Sequence, residues 1–306
     1  MKKSIPIVLP LVLMFSLCGC GRMTVVTEQT ATQQETDYTS AVVSFLGPEG
    51  TYTQEACGVF FQKKGSYIPY ETVNDAVDAL ESGASDYAVI PQENTIGGAV
   101  TDYVDIVIDH DSLSVVGEVE LPINQNLLVM PGSELSDIKT VYSHKQGIAQ
   151  GKEWLDENIP DAEVIEVSST AEGARLVSES GDKTQAAIAS AACADVYGLE
   201  LSACAIQGND NNKTRFYVLT KNTTVTGPAQ RLAFVAAGSA GDLPLLMKSM
   251  AEKNMTLIAI HDRPLKTVLG EYYYIIECSD CSYEDFTKLK EKSPLSLRFL
   301  GCFDVF

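Results

Sequence analysis

The stretch Thr72-Val73-Asn74-Asp75-Ala76-Val77-Asp78-Ala79-Leu80-Glu81-Ser82-Gly83, leading into Tyr87-Ala88-Val89-Ile90-Pro91, decides the fold class. Val73, Ala76, Val77 and Leu80 stand at i, i+3, i+4 and i+7, which predicts an amphipathic helix opened by Thr72 as N-cap and closed by Gly83. The apolar run after it predicts a short buried strand ending at Pro91. The same phrase returns at 170–181, with Ser or Thr at its start and Gly at its end, and runs into the strand candidate Ala186-Ala187-Ile188-Ala189. Laid on each other at the two glycines, Thr72 meets Thr170, Ala76 meets Ala174, Ala88 meets Ala186 and Ile90 meets Ile188. Chance likeness of two helix–strand pairs would explain that much. Each strand, however, is followed by polar or small residues suited to opening a helix, Glu93-Asn94-Thr95 and Ser190-Ala191-Ala192. Ligands of open α/β sheets bind beyond the carboxyl ends of the strands, so two such units face to face predict a cleft.

Working outward, 306 residues with 45% hydrophobic side chains suffice for two domains at roughly 100 to 200 residues each. The 41 acidic residues outnumber 22 basic ones for a formal charge of −19, a field that repels nucleic acid and anionic lipid headgroups. An anionic substrate therefore demands local positive charge. At the start, Lys2 and Lys3 precede an apolar run at 5–17, too short to span a bilayer but of signal-peptide length. It closes on Leu17-Cys18-Gly19-Cys20, which resembles the lipobox of bacterial lipoproteins, with Cys20 the lipidated first mature residue. An ordinary secretory signal with a chance cysteine is the plainer alternative. The expectation is a leader at 1–20, a polar tether at 21–40, and an extracytoplasmic protein that meets the membrane only through its lipid.

Beyond a linker at 223–228 the pattern changes. Strand candidates at 231–237, 255–261, 270–278 and 295–305 alternate with helix candidates at 243–254 and 283–292 in the order βαββαβ, a ferredoxin-like unit. Cysteines 57, 193, 204, 278, 281 and 302 fall mostly in apolar segments and read as small hydrophobes. Cys278 and Cys281 form a CxxC without a second pair or a nearby His, so no metal is expected, while a disulfide among Cys278, Cys281 and Cys302 stays open.

Polar clusters fall at strand ends and loops of the first domain. Gly47-Pro48-Glu49-Gly50-Thr51-Tyr52-Thr53 is a strand-to-helix turn whose amides could meet an anion, and it is no Walker loop. Pro91-Gln92-Glu93-Asn94-Thr95 ends a strand, with helix capping as the alternative use of Asn94 or Thr95. Tyr142-Ser143-His144-Lys145-Gln146, continuing to Gln150, offers a hydroxyl, an imidazole and amides, but adjacent Ser and His do not make a hydrolase dyad. Asn212-Lys213-Thr214-Arg215-Phe216 enters a strand with a hydroxyl, a carboxylate-binding fork and an aromatic wall.

In this order, and with Tyr197-Gly198-Leu199, these motifs resemble those of prephenate dehydratases across almost the whole chain after the tether. Ile260-His261-Asp262-Arg263-Pro264 and Leu300-Gly301 resemble the Glu-Ser-Arg-Pro and Leu-Gly motifs of the ACT domain that follows in that family. The resemblance implies a two-lobed dehydratase domain at 41–222, of the type II periplasmic-binding-protein kind, and an ACT-like regulatory domain at 229–306. It implies a lyase that removes carbon dioxide and water from prephenate to give phenylpyruvate in phenylalanine biosynthesis, without metal or organic cofactor. Carried over by position, Thr214 is the proton donor or relay, and Thr51, Asn94, Ser143, Gln150, Arg215 and Phe216 bind substrate, Arg215 through a carboxylate. Phenylalanine as effector falls on Gly241, Asp242, Leu243, His261, Asp262, Arg263 and Pro264. Departures stand at Lys145, where the family usually has Pro, at Gln92, where it has an aliphatic residue, and at Asp242 and His261-Asp262 among the effector motifs. An ACT-like sheet further implies a homodimer or a dimer of dimers. Two rival classes remain: an extracytoplasmic solute-binding lipoprotein, and an amino-acid sensor without catalytic activity.

Overall fold

The computed structural model describes residues 37–221 and 227–306. The leader at 1–20 with Cys20, the tether up to residue 36 and the linker residues 222–226 lie outside the described residues. The last part of the expected tether is not a tether. Tyr38 packs its ring edge-on 5.0 Å from Phe61 and tilted 5.7 Å from Phe60, because these aromatic contacts bury apolar area that water would otherwise cover.

The first sheet gathers β1 (Val42–Leu46), β2 (Ser66–Tyr70), β3 (Tyr87–Asn94), β4 (Gly98–Ala99) and β5 (Leu113–Pro122), with α1 (Tyr52–Phe60), α2 (Val73–Ser82) and α3 (Thr101–Asp109) between them. The second holds β6 (Asn126–Val129), β7 (Thr140–Ser143), β8 (Glu163–Glu166), β9 (Gln185–Ala189) and β10 (Glu200–Ala203), with α4 (Lys145–Asn158), α5 (Thr170–Ser180) and α6 (Ala192–Tyr197). The chain then returns as β11 (Lys213–Lys221), which enters the first sheet between β3 and β5 in the order β2-β1-β3-β11-β5. Both sheets mix parallel and antiparallel pairs. The chain therefore passes between the sheets twice, at 123–125 and at 204–212, and these crossings run side by side: Ile123 N–H donates to Asn212 O at 2.9 Å and Ile206 N–H to Gln125 O at 2.8 Å.

The deciding helix forms as its spacing predicts. Thr72 Oγ1 accepts from Asp75 N–H at 3.1 Å, Gly83 turns left-handed with φ 79°, and Val73, Ala76, Val77 and Leu80 are buried. Its counterpart α5 is capped by Ser169 and closed by Gly181 with φ 62°. Two local expectations fail. Strand β3 does not stop at Pro91 but runs to Asn94, because β11 pairs with it as far as Thr214 opposite Asn94. Nor does a helix open at Glu93-Asn94-Thr95: the chain turns back as β4, and α3 starts only at Thr101.

The remainder is β12 (Arg231–Ser239), α7 (Leu243–Ala251), β13 (Thr256–Pro264), β14 (Glu271–Ser279), α8 (Tyr283–Lys290) and β15 (Ser296–Phe303). These four strands form an antiparallel sheet ordered β13-β14-β12-β15. One face packs on α7 and α8 through Phe234, Ile276, Leu246 and Phe286. The other shares a core with the first sheet, where Val235, Ile275, Leu300 and Phe303 meet Tyr103, Val107, Val115 and Tyr217. This contact is intimate. A Cβ on Gly301 would stand 2.1 Å from Val115 O, and residues 304–306 lie along β5, Glu120 N–H donating to Phe306 O at 3.0 Å.

Candidate active site

Strand alternation sorts the residues around Thr214 onto two faces. Phe216 and Val218 point into the core under α1, with Val89 and Leu121, and Thr214 shares their face at the open end of the strand. Arg215, Tyr217 and Leu219 point the other way, toward the C-terminal sheet. Asn94 ends β3 directly opposite Thr214. Its Oδ1 accepts Ile96 N–H and Gly97 N–H, both at 2.9 Å, which fixes the amide so that Nδ2 donates to Thr214 Oγ1 at 2.9 Å and to Asn212 Oδ1 at 2.8 Å. With Asn94 filling one lone pair, the Thr214 hydroxyl keeps its own proton to donate, and its oxygen is stabilised should charge build on it.

The second sheet brings its own amides. Gln150 on α4 accepts from Gln125 Nε2 at 2.9 Å, which leaves the Gln150 NH2 group for another acceptor. Gln125 sits in one crossing between the sheets and Gln207 in the other, and Gln125 N–H donates to Gln207 Oε1 at 2.8 Å. Gln125 is 3% exposed, yet its Oε1 has no partner, and neither has the Nδ2 of Asn212 at 1% exposure. Buried polar atoms without partners are uncommon and cost free energy unless something arrives to meet them. The first turn of α4 faces the Asn94 loop: a Cβ on Gly97 would lie 2.8 Å from Gln146 Nε2 and 3.7 Å from Asn94 Oδ1. A Cβ on Gly147 would lie 2.5 Å from Ser143 Oγ and 3.5 Å from Gln125 Oε1, so glycine keeps that niche open. Thr51 stands at the N-cap position of α1 in the loop after β1, but its hydroxyl turns away from the helix to donate to Leu46 O at 3.2 Å. The second sheet clasps the same loop, Ser190 Oγ donating to Gly50 O at 2.7 Å. A cleft of about 680 Å³ opens between this loop, the turn before α2 and the start of α5. It is lined by Pro48, Tyr70, Ser169 and Glu172, not by Thr214 or Asn94.

Arg215 is spent inside the protein. Its Nε and Nη2 grip Glu118 at 3.0 and 2.6 Å, Nη1 reaches Glu93 at 3.0 Å, and Nη2 also pairs with Glu277 of β14. Glu118 and Glu277 are fully buried. Gln92 Nε2 and Tyr217 Oη donate to the same Glu277 carboxylate. Burial is the first reason that the Glu118 carboxyl is raised above its usual range, with Glu277 adding to it and Arg215 pulling against both.

A family model described as "PDT: Prephenate dehydratase" matches residues 43–224, more than half of the chain, with Thr214, Asn94, Gln125 and Gln150 inside the match. The chain belongs to the prephenate dehydratase family. Enzymes of that family are carbon–oxygen lyases. Among curated relatives, the bifunctional chorismate mutase/prephenate dehydratase of Neisseria gonorrhoeae is 37% identical over 237 residues, 77% of this chain but 65% of that protein. The prephenate dehydratase of Bacillus subtilis is 31% identical over 273 residues, 85% of this chain and 95% of that one. Among solved structures, the prephenate dehydratase of Arthrobacter aurescens in complex with L-Phe superposes with a TM-score of 0.77 at 30% identity, covering 86% of this chain and 90% of that one.

Placed against the dehydratase motifs, the expected residues divide. Thr214 and Asn94 are in contact, and Gln146 of the second sheet's α4 lies against Gly97 in the Asn94 loop. Three expectations need correction. Arg215 does not offer its guanidinium to a substrate, because its side chain leaves the far face of β11 and three protein carboxylates surround it. Ser143 is fully buried and donates to Ile188 O at 2.7 Å, so it braces β7 against β9. Phe216, at 1% exposure, fills the core beneath the site and does not wall it. Gln125 has no place in the sequence reading, although Asn124-Gln125-Asn126 stands out as three amides between apolar neighbours, and Asn212 enters it only as the first residue of the Thr214 motif, without a role. The departure at Gln92 now has a reason. It is left over in the register between β3 and β11, and its amide meets the buried Glu277, which an aliphatic side chain would leave short of a donor. Of the effector-motif residues, Gly241, Asp242 and Leu243 open α7, while Arg263 on β13 forms a two-pronged pair with Asp105 of α3 at 2.5 and 2.8 Å. His261 stacks edge-on at 5.9 Å from Tyr103.

Proposed function

We propose that the chain converts prephenate to phenylpyruvate with Thr214 protonating the departing hydroxyl. The reaction is driven by aromatisation, so the protein's task is to hold the ring and help one oxygen leave as water while the ring carboxylate leaves as carbon dioxide. The observation that carries this reading is the Asn94 Nδ2 donation to Thr214 Oγ1 at 2.9 Å, which holds the threonine oxygen as an acceptor and leaves its proton to be given away. With Arg215 spent, the N-terminal part of α4 supplies the positive field for the substrate carboxylates: Lys145 is its first residue, and Gln146 and, one turn on, Gln150 offer N–H groups. Gln125 Oε1, an acceptor without a donor, suits the substrate hydroxyl or the water it becomes.

The two sheets and their paired crossings support a reading as two lobes of the type II periplasmic-binding-protein kind, and the βαββαβ unit a reading as an ACT domain. The Arthrobacter relative held L-Phe, which makes phenylalanine the effector to test, at residues 241–243 and 261–264. The outer edge of β13 exposes Leu257, Ile258 and Ile260, a surface suited to a second copy. The lipobox-like Leu17-Cys18-Gly19-Cys20 supports export and anchoring through Cys20, and palmitate labelling lost on Cys20→Ala is the result expected. Purified residues 37–306 given prephenate should release phenylpyruvate. Tight binding of prephenate with no product at any practical concentration would sink the lyase reading in favour of a sensor or a solute-binding lipoprotein.

A further inference from the structure

We infer that Cys278 and Cys281 form a reversible disulfide by exchange with low-molecular-weight disulfides, Cys281 being the attacking thiol and Cys278 the resolving one. This inference does not rest on the dehydratase reading. Strand β14 delivers Cys278 fully buried onto the α8 side of the C-terminal sheet, in the core with Leu232 and Cys302. Asp280, left-handed at φ 58°, turns the chain back on itself at once. That turn sets Cys281 over Cys278 with their sulfurs 3.4 Å apart. A disulfide needs about 2.0 Å, a gap that side-chain rotation closes.

The two thiols differ in the way the exchange requires. Cys281 is half-buried and stands just before Ser282, whose side chain caps α8 in a reciprocal box with Asp285, so the helix N-terminus lies beside it. The hydrogen bond from Cys278 pulls the Cys281 thiol below its ordinary range, against burial and the nearby Asp285 and Asp280. Cys278 is pushed far up, first by that same bond and then by burial. A reachable thiolate beside a buried partner is the arrangement that exchanges disulfides. Metal binding is the other use of such a pair, but among the described residues no group of three or more His, Cys, Asp or Glu is arranged to hold an ion.

The step balances. The Cys281 thiolate attacks one sulfur of the small disulfide and expels one thiolate, and Cys278, losing its proton, attacks the Cys281 sulfur and expels the second. Two protein thiols are oxidised to one disulfide, and the small disulfide is reduced to two thiols. The neighbour Glu277 projects from the opposite face of β14 into the Arg215 cluster, so the link would form one residue from the contact that joins the C-terminal sheet to the strand of Thr214.

The test is to reduce the full chain, remove the reductant, and equilibrate it in glutathione buffers of rising oxidised fraction, followed by intact mass and non-reducing peptide mapping. The expected result is a loss of about 2 Da, a Cys278–Cys281 link in the peptide map, and full reversal by dithiothreitol. Cys302→Ser should keep the link and Cys281→Ser should lose it. A Cys281 that stays a free thiol in fully oxidised buffer, that stops as the glutathione mixed disulfide, or that links to Cys302 instead, overturns the inference. The wild-type map decides by itself if a variant fails to fold.

Discussion

At the residue scale the arrangement makes Thr214 the group whose loss hurts turnover most. Thr214→Ala removes the hydroxyl proton and should lower kcat by about 10²- to 10⁴-fold with KM little changed, while Thr214→Ser keeps most of the rate. Steady-state release of phenylpyruvate checks both, and an alanine variant with full turnover would remove Thr214 from the reaction. Glu118 makes a second, thermodynamic prediction. Its carboxyl is raised in the folded protein, chiefly by burial, above the ordinary value of 4.5. A raised carboxyl adds stability that is complete below its unfolded value and is lost as pH climbs through the folded one. Relative to wild type, Glu118→Gln should therefore lose less stability as pH rises from about 4.5 toward neutrality, measured as denaturant midpoints across that range. A variant whose pH profile parallels wild type would contradict this. Residue identity alone named Thr214 and Asn94 as polar groups at strand ends, but gave Arg215 the wrong partner. A guanidinium fits any carboxylate, and the strand's facing decides which one it meets.

At the scale of elements, periodicity was a good guide wherever one face of an element is buried. Helix α2 and helix α5 carry their caps in the local sequence, and strands β12, β13, β14 and β15 begin and end within a few residues of the apolar runs that suggest them. The end of β3 was not legible, because its last residues are held extended by pairing on one side with the short β4 and on the other with β11, more than a hundred residues later. Gly301 shows the same dependence. It lies inside β15, where no local turn asks for glycine, but the C-terminal sheet lies so close to β5 that a Cβ would stand 2.1 Å from Val115 O. Gly301→Ala should destabilise the protein by about 1–3 kcal/mol by forcing the sheets apart. An unchanged urea midpoint would show that the two sheets can separate freely.

At the scale of the whole molecule, the C-terminal sheet is fused to the rest by a shared core, by the Arg215–Glu277 and Arg263–Asp105 pairs, and by residues 304–306 along β5. Its inner face is thus taken, which leaves the β13 edge for a second copy. Light scattering should find a dimer, and Ile260→Lys should convert it to a monomer by placing a charge on that edge; a monomeric wild type would exclude the arrangement. The sequence by itself determined helices α2 and α5, the strands and helices of the C-terminal unit, the α/β class and the order of the motifs, since these follow from periodicity and capping within a dozen residues. Tertiary structure alone decided which side of β11 each motif residue faces, that Gln92 and Arg215 belong to the Glu277 contact, and that Gln125 stands beside Gln150. Those relations join segments far apart in the chain, and only packing and the burial of charge set them.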